Sequence, residues 1–102
     1  MSLTVAFSVA PASPDPDGSY AAAVAAAVRV VRESGLPNET NAMFTNVEGE
    51  WDEVMAVVKQ AVMTVAESSA RVGLVLKADL RRGHDAGEMA AKVARVEERL
   101  AN

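Results

Sequence analysis

Residues 38–65 read NETNAMFTNVEGEWDEVMAVVKQAVMTV, and this stretch determines the order of elements in the middle of the chain. Its first part is rich in amide, hydroxyl and carboxylate side chains, and we predict two strands there, over residues 38–42 and 44–50. Its second part has apolar residues at helical spacing, after acidic residues that suit a helix N-terminus. These apolar residues are Trp51, Val54, Met55, Val58, Ala61, Val62 and Val65. The stretch therefore predicts the order strand, strand, helix.

A strand and a helix are predicted before this stretch. Large residues alternate with small ones near the start, namely Leu3, Val5, Phe7 and Val9 with Thr4, Ala6, Ser8 and Ala10. This period of two predicts a strand with one large-residue face and one small-residue face. Residues 11–19 hold three of the four prolines and predict a loop. Ser19 is expected to cap a helix that ends at Gly35 and Pro37.

A strand and a helix are also predicted after the central stretch. Residues 72–81 form the strand, and its first half is apolar on both faces, which predicts a central or doubly covered position. Its second half places Lys77, Asp79 and Arg81 on one face. After a loop over residues 82–85, a final helix has a narrow apolar seam formed by Met89, Val93, Val96 and Leu100.

The complete order is β-α-β-β-α-β with an additional C-terminal helix, which predicts an α+β, ferredoxin-like sandwich over residues 1–102 as one domain. This arrangement leaves one sheet face without helices, and the small residues of the first strand line that face. The chain has 20 alanines, 16 valines and no isoleucine. Because each buried methylene contributes about 0.8 kcal/mol, a core of such small side chains gains little stability per residue. We therefore expect a homo-oligomer, a dimer or tetramer, stacked through the sheet face.

Several classes of function are excluded by composition. Without cysteine there is no disulfide framework, thiolate metal site or cysteine nucleophile. Ten basic and fourteen acidic residues without a block of like charges argue against a nucleic-acid partner. The longest uncharged apolar run, residues 20–28, is too short to cross a membrane. With no signal-peptide pattern at the start, we expect a cytoplasmic protein that needs no metal or other cofactor.

The polar residues do not form a catalytic set. The single histidine, His84, lies in a predicted loop, and no Ser nucleophile has a visible partner, so we expect no enzyme activity. Lys77 and Asp79 have two interpretations, a salt bridge at an interface edge or hydrogen bonds to a polar heterocycle. The large side chains of Met43, Phe44 and Trp51 are expected in the core, with a ring-binding pocket as the alternative.

Several segments resemble the family of small thiamine-binding proteins. They are Ser19-Tyr20 at a helix start, the Gly35 stop, MFTNVEGEWDEV over residues 43–54, and KADLR over residues 77–81. The most specific part is Thr45-x-Val47-Glu48-Gly49. The resemblance implies a ferredoxin-like fold, assembly through the sheets, and binding of thiamine or its aminopyrimidine part without chemical change.

The resemblance also implies a set of ligand-binding residues. Carried over by position, they are Ser19, Thr45 and Glu48, followed by Asn41, Lys77 and Asp79. Phe44 stands where the family usually has glycine, so it either fills the pocket or stacks on the ligand. The histidine that many members have near Ala61 or Val62 is absent.

Two alternative functions use the same topology. One is an effector-sensing regulatory module with its pocket between protomers and an enzyme or transporter as partner. The other is a cofactor-free monooxygenase of the dimeric α/β-barrel type, in which Asn41, Trp51 and His84 would be the polar residues of the site.

Overall fold

The computed structural model describes residues 1–83 and 87–101. Its elements are β1 (Ser2–Pro11), α1 (Ala21–Glu33), β2 (Asn38–Thr40), β3 (Thr45–Gly49), α2 (Trp51–Ala66), β4 (Val72–Arg81) and α3 (Glu88–Ala101). This order confirms the predicted ferredoxin-like α+β fold with an additional C-terminal helix. His84 and Asp85, in the predicted loop before α3, lie outside the described residues.

The four strands form an antiparallel sheet in the order β2-β3-β1-β4. In its register Val5 lies opposite Val47 on one side and Ala78 on the other. Because side chains alternate in direction along a strand, the large residues of β1 share one face. Helices α1 and α2 pack on this face. The core residues are Leu3, Val5, Phe7, Val9, Ala27, Val31, Val47, Val54, Val58, Ala61 and Val65.

The hairpin between β2 and β3 is tighter than predicted. The side-chain oxygen of Asn41 accepts hydrogen bonds from the backbone N–H groups of Met43 and Phe44, both at 2.9 Å. The N–H of Asn41 in turn donates to the carbonyl of Phe44 at 2.9 Å. Because these bonds close a turn, the strands end at Thr40 and resume at Thr45, instead of at residues 42 and 44.

The start of α1 differs from the prediction. Tyr20, not Ser19, occupies the N-cap position. The Ser19 hydroxyl donates to the carboxylate of Asp17 at 2.7 Å. The carboxylate of Asp15 accepts from the N–H of Ala22 at 3.1 Å and so satisfies one N–H in the first turn of the helix.

Strand β4 lies at an edge of the sheet, so the prediction of a central position is wrong, and within one protomer the strand is not covered on both faces. Its apolar residues Leu74, Val75 and Leu80 are exposed, and Val75 keeps 59 % of its surface open. The apolar pattern of β4 thus marks surface that a single protomer leaves uncovered.

Helix α3 lies on the small-residue face of the sheet, so the prediction of a helix-free face is wrong over part of its area. Three side chains of that face, those of Glu48, Asp79 and Arg81, bond to groups in or next to α3. The far part of α3 packs little, and Val96 and Leu100 are 58 % and 75 % exposed.

Candidate functional site

A small cavity lies between α1, the end of β1 and the β2–β3 hairpin, and we call it the hairpin cavity. Its volume is about 80 Å³. The lining residues are Phe7, Ser8, Val9, Val24, Ala27, Val28, Thr40, Asn41, Ala42, Met43, Phe44 and Thr45. None of these side chains is titratable, so the cavity is a neutral, mainly apolar site with a few polar groups.

Thr45 supplies the most enclosed polar group of the hairpin cavity. The residue is 7 % exposed, and its hydroxyl lies 3.4 Å from that of Thr40 across the two strands. A hydroxyl carries one donor and two acceptor positions, so this weak contact leaves Thr45 able to bond a ligand.

Asn41 has a structural role at the mouth of the hairpin cavity. Its side-chain oxygen is occupied by the two turn N–H groups. The amide nitrogen of the same side chain is therefore the part that can donate to a bound molecule.

Phe44 lines the hairpin cavity without filling it. Its side chain is half-buried, and the remaining space equals roughly five to eight water-sized positions at ~10–15 Å³ each. That space is on the scale of one substituted six-membered ring, and a second ring would have to extend outside.

Glu48 points to the opposite face of the sheet from Thr45. Successive side chains on a strand point to opposite faces, so two residues three positions apart do so as well. Its carboxylate accepts hydrogen bonds from the N–H of Gly87 at 3.1 Å and of Met89 at 3.0 Å. Glu48 is 3 % exposed and anchors the N-terminal end of α3. Sequence reasoning missed this role, although the strand spacing was a signal for the change of face.

Lys77 and Asp79 lie on the same sheet face as Glu48 but do not pair with each other. Asp79 forms a salt bridge with Lys92 of α3. The hydrogen bond from Lys92, aided by its charge, holds the pKa of Asp79 below its usual range. Lys77 makes no ion pair within the described part of the chain.

The structure thus separates the residues that the sequence placed in one site. Asn41, Phe44 and Thr45 meet in the hairpin cavity, whereas three others lie on the α3 side of the sheet, namely Glu48, Lys77 and Asp79. Ser19 lines neither region, and its hydroxyl bonds to Asp17, whose pKa it lowers.

The predicted cluster of large side chains does not form a common core. Met43 is 73 % exposed and Trp51 is 48 % exposed, because the turn and the helix start place them at the surface. Among the polar residues of the monooxygenase hypothesis, Asn41 lines the cavity, Trp51 does not, and His84 lies outside the described residues.

Residues 1–83 and 87–101 contain neither a metal-binding cluster nor a membrane-spanning helix. No group of three or more His, Asp or Glu side chains there is arranged to hold a metal ion. Among these residues no helix combines the length and apolar character needed to cross a membrane.

The chain is thus a ferredoxin-like protein with a neutral cavity beside its short hairpin, which is the kind of place where small ligands bind. The family model described as "Thiamine-binding protein" matches residues 5–97. The chain belongs to the thiamine-binding protein family.

Relatives cover the chain almost completely. The UPF0045 protein Mb1933 of Mycobacterium bovis is 52 % identical over 102 residues, spanning 98 % of this chain and 96 % of the relative. The structure of MJ1052 from Methanocaldococcus jannaschii is similar with a TM-score of 0.77 at 31 % identity, over 91 % of this chain and 95 % of that one. TM0486 from Thermotoga maritima, named for thiamine biosynthesis or salvage, has a TM-score of 0.76 at 26 % identity, over 92 % and 99 % of the two chains.

Proposed function

We propose that this protein binds thiamine through its aminopyrimidine ring in the hairpin cavity, without chemical turnover. The observation that carries the proposal is the ring-sized space around the Thr45 hydroxyl in a chain of the thiamine-binding family. The name of the Thermotoga maritima neighbour, which concerns thiamine, supports the same ligand.

The polar groups of the cavity match the hydrogen-bonding needs of an aminopyrimidine. Such a ring offers ring-nitrogen acceptors and an exocyclic amine donor. The hydroxyls of Thr45 and Thr40 both donate and accept, and the amide nitrogen of Asn41 donates. The Phe44 ring provides an apolar surface on which a flat ring can stack.

The thiazolium ring of thiamine is placed outside the cavity in this proposal. The free space holds about one ring, and the exposed Met43 marks the side that faces solvent. A solvated position suits a cation, since burying an unpaired charge is costly. The aminopyrimidine part therefore supplies most of the selectivity.

The chemistry of the lining supports the proposal of binding without turnover. General acid–base catalysis needs a titratable group near the reacting atoms, and none of the described lining side chains provides one. The cavity can hold and orient a ring but offers no activated nucleophile or base.

Calorimetry with thiamine and with hydroxymethylpyrimidine tests the proposal. We expect both to bind, and Thr45→Val to weaken both by roughly three- to tenfold, since one hydrogen bond contributes about 0.5–1.5 kcal/mol. Thr64→Val, on α2 and outside the cavity lining, is the matched control and should bind normally. A folded protein that gives no heat with either compound at about millimolar concentration would contradict the proposal.

We also propose that the protein is a cytoplasmic homo-oligomer, a dimer or tetramer formed through the sheet. The exposed apolar residues of β4 and the uncovered small residues near the end of β1 support this assembly. The chain has no cysteine and so cannot form the disulfides that are common in secreted proteins, which supports the proposal of a cytoplasmic location.

A further inference from the structure

A second and larger cavity lies on the other face of the sheet, beneath α3. One part has a volume of about 670 Å³ and an adjoining part about 160 Å³. Thr4, Asn46 and Lys92 line both parts, so the two cavities adjoin, and we call them together the α3 groove. Its main part is within the range of about 300–1,000 Å³ typical of small-molecule sites.

The floor of the α3 groove is a row of residues that pair across all four strands. Glu39 lies opposite Asn46, Asn46 opposite Ala6, and Ala6 opposite Lys77. Neighbouring strands are about 4.7–4.9 Å apart, so the backbone positions of Glu39 and Lys77 are roughly 14–15 Å apart. The row thus has a carboxylate at one end, an amine at the other, and neutral residues between them.

Polar side chains gather at the Lys77 end of the groove. The hydroxyl oxygen of Thr4 is buried and makes no hydrogen bond. The ammonium groups of Lys77 and Lys92 line the same small part of the groove, together with the carboxylate of Asp79. Because Asp79 neutralises Lys92, the lining of this small part keeps the positive charge of Lys77. The carboxylate of Glu48 lines the main part, and both of its oxygens already accept from the N–H groups of Gly87 and Met89.

The helix side of the α3 groove is mainly apolar. Met89 and Val93 face the space, and Pro37 lies at its margin. A ligand in the groove would therefore meet a hydrocarbon surface along its length and a cationic, hydroxyl-bearing corner at one end.

We propose that the α3 groove binds a small organic anion, with its carboxylate or phosphate group beside Lys77 and the Thr4 hydroxyl. The apolar body of the ligand lies along Met89 and Val93. The carboxylate of Glu39, at the far end of the row, repels a second negative group on the ligand. The site shares no lining residue with the hairpin cavity, so it is independent of the thiamine proposal.

NMR titration with four probes tests this site. Hexanoate and phenyl phosphate represent the two anionic groups, hexylamine is the cationic control, and adipate carries a second carboxylate. We expect saturable shifts for hexanoate, phenyl phosphate or both at Thr4, Asn46 and Met89, with no saturable shift for hexylamine and weaker binding of adipate than of hexanoate. Whichever anion binds more tightly identifies carboxylate or phosphate as the preferred head group.

Charge removal at Lys77 gives the sharpest comparison. Lys77→Gln should weaken anion binding by about tenfold or more, as for loss of a charge-assisted hydrogen bond. Lys59→Gln, on the exposed side of α2, is the matched control and should leave binding unchanged. Thr4→Val removes the buried hydroxyl at nearly constant volume and should also weaken binding.

Several results would overturn the proposal. They are the absence of saturable binding by both anions, hexylamine binding as tightly as hexanoate, shifts confined to the hairpin cavity, and unchanged affinity in Lys77→Gln. A titration of thiamine under the same conditions keeps the two sites distinguishable, since its expected shifts lie at Thr45 and Phe44.

Discussion

At the scale of single residues, Thr45 and Glu48 show how strand geometry separates functions within one motif. They belong to the same five-residue segment, yet β3 sends their side chains to opposite faces of the sheet. Thr45 keeps a weakly bonded hydroxyl in the hairpin cavity, whereas Glu48 uses both carboxylate oxygens to hold α3. The motif therefore combines a cavity-lining hydroxyl with a structural anchor.

Gly49, which ends β3, lies close to two apolar side chains, and a larger residue there would have to displace them. A Cβ atom there would lie 3.3 Å from side-chain atoms of both Leu36 and Val54. We expect Gly49→Ala to lower the free energy of unfolding by about 1–3 kcal/mol through overpacking, as measured by urea denaturation. Gly73→Ala is the matched control, because its nearest contact would be 3.9 Å away. Equal stability of the two variants would contradict the prediction.

At the scale of elements, α3 is held to the sheet by a few polar bonds more than by apolar packing. Glu48 of β3 bonds the N–H groups at its N-terminal end, Asp79 of β4 pairs with Lys92, and Arg81 of β4 donates to Glu88. Its apolar seam is largely exposed beyond Met89. A helix held in this way is expected to open more readily than α1 or α2.

The hydrogen bonds that the Glu48 carboxylate accepts are the contacts most specific to α3 docking. We expect Glu48→Gln to weaken the anchor by about 1–2 kcal/mol, since the charged acceptor and its helix N-terminus complement each other. Faster amide hydrogen exchange in α3, with exchange in α1 and α2 unchanged, is the measurement. Glu39→Gln, at an exposed position, is the control. Uniformly faster exchange in all three helices would instead indicate a global loss of stability.

The stability of α3 on the sheet should also depend on pH through Glu88, which bonds Arg95 within the helix and Arg81 of β4. The hydrogen bond from Arg95 lowers the pKa of Glu88 below its ordinary value of 4.5, and the charge of Arg81 adds to this effect. Because the folded pKa is lowered, the stabilisation is complete above about pH 4.5 and is lost as the pH falls through the folded pKa.

Urea denaturation of the wild type and of Glu88→Gln at a series of pH values checks this prediction. The stability difference between them should be constant near neutral pH and should shrink as the pH falls below about 4.5. A difference that stays unchanged down to about pH 3 would contradict the assigned linkage.

At the scale of the whole molecule, much apolar surface remains outside the single core. It lies on β4, at Leu74, Val75 and Leu80, and on α3, at Val96 and Leu100. Small alanine and valine side chains build the core, so further burial between copies adds stability that one protomer lacks.

Val75 provides a test of the proposed assembly. It is 59 % exposed on the edge strand and shares its face with Ser8, so Val75→Lys places a charge in the expected interface without affecting the core. Light scattering should show a dimer or tetramer for the wild type and a smaller species for the variant. Ala66→Lys, at the exposed end of α2, should leave the mass unchanged. A monomeric wild type at about 100 μM would contradict the assembly.

The sequence predicts most of the fold because periodicity depends on local geometry. The alternation in β1 and the helical spacing in α2 were sufficient to identify these elements. The turn at Asn41 and the start of α1 were misplaced by one or two residues, because side chains of Asn41 and Asp15 bond to the backbone in ways that periodicity does not reveal. The candidate site residues were named one by one from the sequence, but their division between the two faces of the sheet was not predicted.

The sequence by itself determined the order of the elements, the core face of the sheet and the family, since these follow from local pattern and motif. Only the tertiary structure decided that β4 lies at an edge, that α3 covers part of the small-residue face, and that Glu48 anchors it. The physical reason is that strand order and helix docking depend on contacts between residues far apart in the chain. A polar residue such as Glu48 has the same local pattern whether its partner is a ligand or a backbone N–H group.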